Sequence, residues 1–270
     1  MSDTIYMTDQ EGTLQPLTAV EYDSEKGFQK RLAEHPDLLA GSQIDPDRPR
    51  RWVLVAREYS IGDGNSASRG RIDLLFLDQD GIPTLVEVKR SSDTRIRRNV
   101  VGQMMDYAAN AIRYGDVEDI RRALMHTHPQ NAKLLEQELG VTDTEAYWNE
   151  VRDNLDQGRI RMVFVADRIP RELRRIVEFL NEQMRPAEML AVSVQPYTDA
   201  EGEQYALVPR VIGQTEAAVQ KKGRSRPAYT RDTFFAALES NVDSGIVDAM
   251  RTVANYVDQK EGCDLQGTKA

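Results

Sequence analysis

The chain is 270 residues long, room for one large or two smaller domains, and its 40% hydrophobic and 29% charged residues exclude a disordered or fibrous polymer. No apolar run approaches the ~20 residues needed to cross a bilayer, and the polar, acidic start MSDTIYMTDQEGT lacks the pattern of a secretory leader. One cysteine, Cys263, excludes an internal disulfide framework and a cysteine-built zinc site, so composition points to the cytoplasm and away from membranes.

A formal net charge of −9 argues against a uniformly phosphate-seeking surface, yet the cations are clustered. Residues 89–98 hold Lys89, Arg90, Arg95, Arg97 and Arg98 against one acid, Asp93. Residues 168–175 hold four arginines and one glutamate, and Lys221, Lys222, Arg224, Arg226 and Arg231 follow with no acid among them. Each run reads either as a local anion-binding face or as an ordinary solvated one.

In chain order, residues 1–20 read as a short strand or hairpin turning near Asp9 to Gly12. A helix follows over 24–39, with Ser24 as N-cap, apolar positions at Phe28, Leu32, Leu38 and Leu39, and Pro36 a potential break in the last turn. Segments 51–58, 71–77 and 83–89 are short and rich in Val, Ile and Leu, as strands are, and DQDG at 78–81 is a hairpin turn. A helix of about five turns is expected from near Thr94 to Tyr114, ending before Gly115. Residues 116–158 look helical. After Gly158 the pattern IRMVFVA reads as a strand, Pro170 opens another helix, and MLAVSVQPY and QYALVPRVI read as two more strands. The order implies an α/β domain with one central sheet, over 1–213, carrying a helical insertion at 116–158. Residues 214–228 read as a basic linker and 229–270 as a small helical C-terminal piece that packs on the main domain, on a protein partner or on a second copy in a homodimer.

The chemistry concentrates in the 71–89 hairpin. With the turn near Asp80, antiparallel pairing sets Asp73 opposite Glu87 and Lys89 near Arg71. Alternation puts Leu85, Glu87 and Lys89 on one face and Val86 and Val88 on the other. LVEVK therefore buries charges of opposite sign inside an apolar run, which is costly unless they are paired or hold an ion. Carboxylates at a sheet end suit Mg²⁺, which prefers oxygen, and an adjacent lysine can orient or deprotonate a water. Glu25 shares a helix face with Phe28, Gln29 and Leu32; it either reaches the metal site or caps its own helix. Gln103 and Tyr107, four apart on one face, can hydrogen-bond a phosphate or the lysine, or form an ordinary half-buried pair.

The ordered set Glu25, Asp73, Glu87-x-Lys89 and Gln103-x-x-x-Tyr107 resembles the PD-(D/E)xK nuclease superfamily, and the last motif its RecB-type branch. SEKGFQKRLAEHPDLL, RIDLLFLD and LVEVKR are similar to NucS-type endonuclease domains. Ile72 stands where that pattern usually has proline. The resemblance covers 20–115 by motif and extends to about 212 by element order. It implies a restriction-endonuclease-like core with a mixed central sheet flanked by helices, and Mg²⁺- or Mn²⁺-dependent hydrolysis of DNA phosphodiesters, in repair or in defence against foreign DNA. Asp73, Glu87 and the Val88 carbonyl would bind the metal and Lys89 would position the attacking water. Glu25 would assist the metal site, and Gln103 and Tyr107 would support substrate. Arg95, Arg97 and Arg98 are the expected phosphate contacts. The alternative is a catalytically inactive module that keeps the nuclease fold to bind DNA or protein. His35, His126 and His128 read as surface or helix-end residues without zinc spacing, and Gly62-x-Gly64 as part of a loop rather than a phosphate cradle.

Overall fold

The computed structural model describes residues 4–8, 12–60, 71–92, 99–131 and 133–215, with isolated positions beyond. The chain forms two compact units, 1–222 and 223–270. The N-terminal unit is α/β, with a mixed sheet of eight strands flanked by helices.

Strands β1 (Thr4–Thr8) and β2 (Leu14–Ala19) form the expected antiparallel hairpin. Helix α1 (Glu25–Glu34) starts at Ser24, whose Oγ accepts the Gly27 N–H at 3.0 Å, and it buries Phe28, Gln29 and Leu32. It stops one turn before the expected end. Pro36 cannot continue the helical ladder, so a 3₁₀ turn (Pro36–Leu39) and the short α2 (Gly41–Ile44) take over. Strands β3 (Trp52–Ser60), β4 (Arg71–Asp78) and β5 (Pro83–Val88) form an antiparallel meander. Gly81, at φ +67°, closes the β4–β5 turn where a side chain would press on Val151 at 3.1 Å.

Helix α3 (Asn99–Tyr114) ends before Gly115 as expected; the stretch from Thr94, with Arg95, Arg97 and Arg98, lies outside the described residues. The helical insertion comprises α4 (Val117–Thr127), a π-helical turn (Leu135–Leu139) and α5 (Thr144–Asp156). Strand β6 (Arg161–Ala166), helix α6 (Arg171–Gln183), β7 (Glu188–Thr198) and β8 (Tyr205–Ile212) complete the unit. Pro170 is the N-cap of α6 and so precedes the first helical position. The sheet runs β1-β2-β7-β6-β5-β4-β3, with β8 also paired to β7, and its β5–β6 and β6–β7 pairs are parallel.

The central strands are buried on both faces, which explains their unbroken apolar runs. One core lies between the sheet and α3 to α6, with Leu75, Leu85, Met104, Tyr107, Val151 and Phe164. The other lies under α1, with Phe28, Leu32, Leu74, Val86, Val88 and Val165. Leu85 and Val86 thus fall on opposite faces, as alternation requires. Among the described residues no helix is long and apolar enough to cross a membrane. In the C-terminal unit, β9 (Ala228–Tyr229) pairs antiparallel with β10 (Gly267–Thr268), which the sequence did not suggest. Of the one or two short helices expected over 229–270, only isolated helical positions, Phe235, Val247, Met250 and Arg251, are described; the rest, and most of the linker, lie outside the described residues.

Candidate active site

The β4–β5 register pairs Leu74 with Val86 and Leu75 with Leu85, so one step further sets Asp73 against Glu87. Asp73 Oδ2 accepts the Val88 N–H at 2.7 Å, which locks the carboxylate to the end of β5. Lys89 lies one residue beyond that strand, and its own N–H donates to Val165 O at 2.8 Å, so β6 holds its backbone. Its ammonium donates to Glu87 Oε1 at 2.9 Å, to Glu25 Oε1 at 3.2 Å and to Val88 O at 3.0 Å. Glu25 is the first residue of α1, so Ser24 capping sets its place; it reaches the ammonium from the helix on the other sheet face. Asp73, Glu87, Lys89, Glu25 and the Val88 carbonyl therefore converge at one sheet edge.

Glu87 is 1% exposed, and its Oε2 is buried with no hydrogen-bond partner. An ionised carboxylate oxygen in that state is expensive. Desolvation raises Glu87 to about 7, helped by the charge of Asp73 and opposed by Lys89. Desolvation likewise raises Asp73 to about 6, against the Val88 N–H and Lys89, which favour its charged form. Lys89 is held well above its ordinary value because the attraction of Glu87, Asp73 and Glu25 outweighs its own desolvation. One ammonium thus neutralises part of a denser negative cluster.

Tyr107 is buried on α3, and its hydroxyl hydrogen-bonds Gln103 and the Arg71 backbone. Burial raises the phenol, with smaller contributions from Glu87 and Asp73, so the hydroxyl lies within electrostatic reach of both acids. Gln103 is exposed. Neither residue of this pair hydrogen-bonds Lys89. The side chain of Arg71 pairs with Glu58 at 3.8 Å. The histidines fall at helix ends as expected: His35 caps α1, His126 is in the last turn of α4, and His128 caps it with Nε2 hydrogen-bonded to Leu54 O at 2.7 Å.

The donors offered at this edge are all oxygen: Asp73, Glu87 and the Val88 carbonyl. They fit a hard divalent ion, and the partnerless Glu87 Oε2 is the atom such an ion would satisfy. Among the described residues no group of three or more His, Cys, Asp or Glu side chains makes a ready cage, so two carboxylates and a backbone oxygen are the available set.

Sequence reasoning missed Asp167. It follows β6 directly, is 3% exposed, and accepts the Ser91 N–H at 2.7 Å and the Ser91 hydroxyl at 2.6 Å. Together with the Lys89–Val165 bond, it pins the chain on both sides of Arg90. The available signal was an acid closing the apolar run RMVFVA, but only the parallel β5–β6 pairing gives it meaning.

No protein-family model matches the chain, and no curated protein matches it. Among solved structures, it is similar to an EndoMS-dsDNA2 complex at 14% identity and a TM-score of 0.28, over 66% of this chain and 61% of that one. The chain thus spans about three fifths of that protein, and the site stands on its own geometry.

Proposed function

We propose that the chain is a metal-dependent nuclease that hydrolyses DNA phosphodiesters at the edge formed by Asp73, Glu87 and Lys89. The observation that carries this reading is the buried Glu87 oxygen without a partner, beside a second buried carboxylate and an ammonium group. Such a cluster is short of positive charge. Asp73, Glu87 and the Val88 carbonyl would hold Mg²⁺ or Mn²⁺, which supplies positive charge against the phosphate and Lewis acidity. Lys89 orients a water for attack on phosphorus; the new P–O bond forms as the ester P–O bond breaks, and the leaving oxygen takes up a proton. Glu25 holds the ammonium in place through its 3.2 Å contact. Tyr107 and Gln103 present hydrogen-bonding groups to a phosphate at the rim. The motif resemblance supports DNA as substrate, in repair or defence; composition supports the cytoplasm, and the small 229–270 segment would serve a second copy or another protein.

One observation favours the second reading, a binding module without turnover: Lys89 already engages Glu87 and the Val88 carbonyl that an ion would use. Cleavage of single-stranded, duplex and branched DNA with Mg²⁺ or Mn²⁺ separates the two. A nuclease cleaves at least one of them, and Lys89→Ala lowers the rate by at least ~100-fold, the usual weight of a proton-handling group. Equal behaviour of wild type and variant on every substrate, with no heat on metal titration, would leave only the binding module.

A further inference from the structure

The arginines of residues 168–175 occupy the turn from β6 into α6 and the first turns of that helix. Because β6 is parallel to β5, this turn leaves the sheet at the edge that carries Lys89. Asp167 ties it there through its two bonds to Ser91. Helix α6 buries Leu173 and Val177 in the same core as Tyr107, so it shares that face of the sheet. Arg171 and Arg175, one turn apart, lie on its outward side, and helical side chains lean toward the N-terminus, here toward the carboxylate edge. Glu172, the acid within the run, is turned about 100° round the helix from Arg171.

The cations of this turn differ from those of neighbouring helices in how they are matched. On α4 and α5, Arg121 pairs with Glu145 at 3.0 Å, Arg122 with Asp119 at 2.6 Å and Arg152 with Glu118 at 3.6 Å. Arg174 has Glu178 at 3.9 Å. Arg168, Arg171 and Arg175 are exposed, and among the described residues none has a carboxylate within 4.0 Å. Unmatched guanidinium groups on a chain of net charge −9 form a local field that an anion relieves, and their planar fork suits phosphate oxygens.

We propose that Arg168, Arg171 and Arg175 form a phosphate-contact surface for the backbone of duplex DNA whose scissile bond lies at the Asp73–Glu87 edge; this rests on the reading of that edge as a nuclease. The test is binding of a short mixed-sequence duplex to the full chain in the presence of a chelator, with the affinity measured across a salt series. The Arg168→Gln/Arg171→Gln/Arg175→Gln variant is expected to melt like wild type. It should bind more weakly, with a log Kd against log salt slope shallower by about 2.7, or about 0.9 per lost contact. Lys30→Gln/Arg122→Gln/Arg152→Gln removes the same charge elsewhere and is expected to keep the wild-type slope. A wild-type slope in the first variant, an equal change in both variants, or no duplex binding by wild type would overturn the surface. Loss of slope without any metal-dependent cleavage by wild type would sustain the surface and sink the nuclease. Cleavage by wild type with binding unchanged in the first variant would do the reverse.

Discussion

Lys89 sets the charge balance of the site, and the consequences of that balance are measurable residue by residue. In the folded chain Asp73 and Glu87 titrate at about 6 and about 7, against ordinary values of 3.8 and 4.5, so at intermediate pH the folded state holds protons that the unfolded chain has released. Their favourable contribution is therefore complete below pH 3.8 to 4.5 and is lost as pH rises through about 6 to 7. Chemical denaturation of the metal-free protein should show stability from this pair falling between acid and neutral pH, and Glu87→Gln should flatten that fall. Added Mg²⁺ should stabilise wild type more at pH 8 than at pH 5.5, since its ligands must be deprotonated, and should not stabilise Glu87→Gln. A flat pH profile in wild type would remove the carboxylate pair from the account. Lys89→Ala should also cost on the order of 1–3 kcal/mol, because the buried Glu87 loses its hydrogen-bonded partner. At this scale the sequence was informative. Opposite charges inside LVEVK stood out against their apolar neighbours, and strand alternation with the turn at Asp80 brought Asp73 to Glu87. Glu25 stood out for the same reason on α1. Asp167 and Ser91, 76 positions apart, left no such local signature, since their contact depends on which strand lies beside β5.

The secondary elements show where local pattern suffices and where it does not. Strands β3 to β8 and helices α1 and α3 to α6 all fall on the expected segments, because periodicity and turn residues report burial directly. The misses are local: Pro36 divides the expected first helix into α1 and a 3₁₀ turn, and the LEQEL segment winds as a π turn rather than an α-helix. Strand β5 is paired on both sides, but the chain leaves it at Lys89, and Asp167, the residue after β6, holds that exit through Ser91. Asp167→Ala should destabilise by about 2 kcal/mol, as two charge-assisted hydrogen bonds are lost. Asp167→Asn should keep the bond from the Ser91 N–H and recover part of the loss. A double-mutant cycle with Ser91→Ala, read by denaturant midpoints, should show coupling of roughly 0.5 kcal/mol or more, the threshold for residues in contact. If Asp167 acts by positioning Lys89, its alanine variant lowers kcat with little change in KM, and the asparagine variant restores much of it.

Across the whole molecule, the two ends of the central strands are built from different chemistry. Opposite the carboxylate edge, Arg161 is 2% exposed and bonds Asp78 at 2.9 Å and Glu188 at 2.7 Å, while Tyr147 donates to the Asp78 carbonyl at 2.8 Å. Arg50 brings a second guanidinium to Asp78 at 3.6 Å, so the buried carboxylate here meets two cations and this end clamps β4, β6 and β7. Arg161→Met removes one of several partners of the fully buried Asp78, which keeps Arg50 at 3.6 Å and the N–H groups of Asp80 and Ile82, and should cost about 1.5–3 kcal/mol in denaturant unfolding. Combined with Lys89→Ala the losses should add to within about 0.5 kcal/mol, since the two sites lie at opposite ends of β5. Strand order was the part least legible in the sequence: β2 lies beside β7, some 180 residues away, through pairs such as Thr18 with Thr198. Such long-range choices follow from which apolar faces meet, which no local window contains. On the far flank of the sheet, β3 bulges where Val55 falls between the paired Leu54 and Ala56. The end of α4 covers the bulge: Thr127 Oγ1 donates to Val55 O and the His128 ring bonds Leu54 O, both at 2.7 Å. Carbonyls that would otherwise template another chain are thus already spoken for, so the insertion works as a stopper against edge-to-edge growth along that flank.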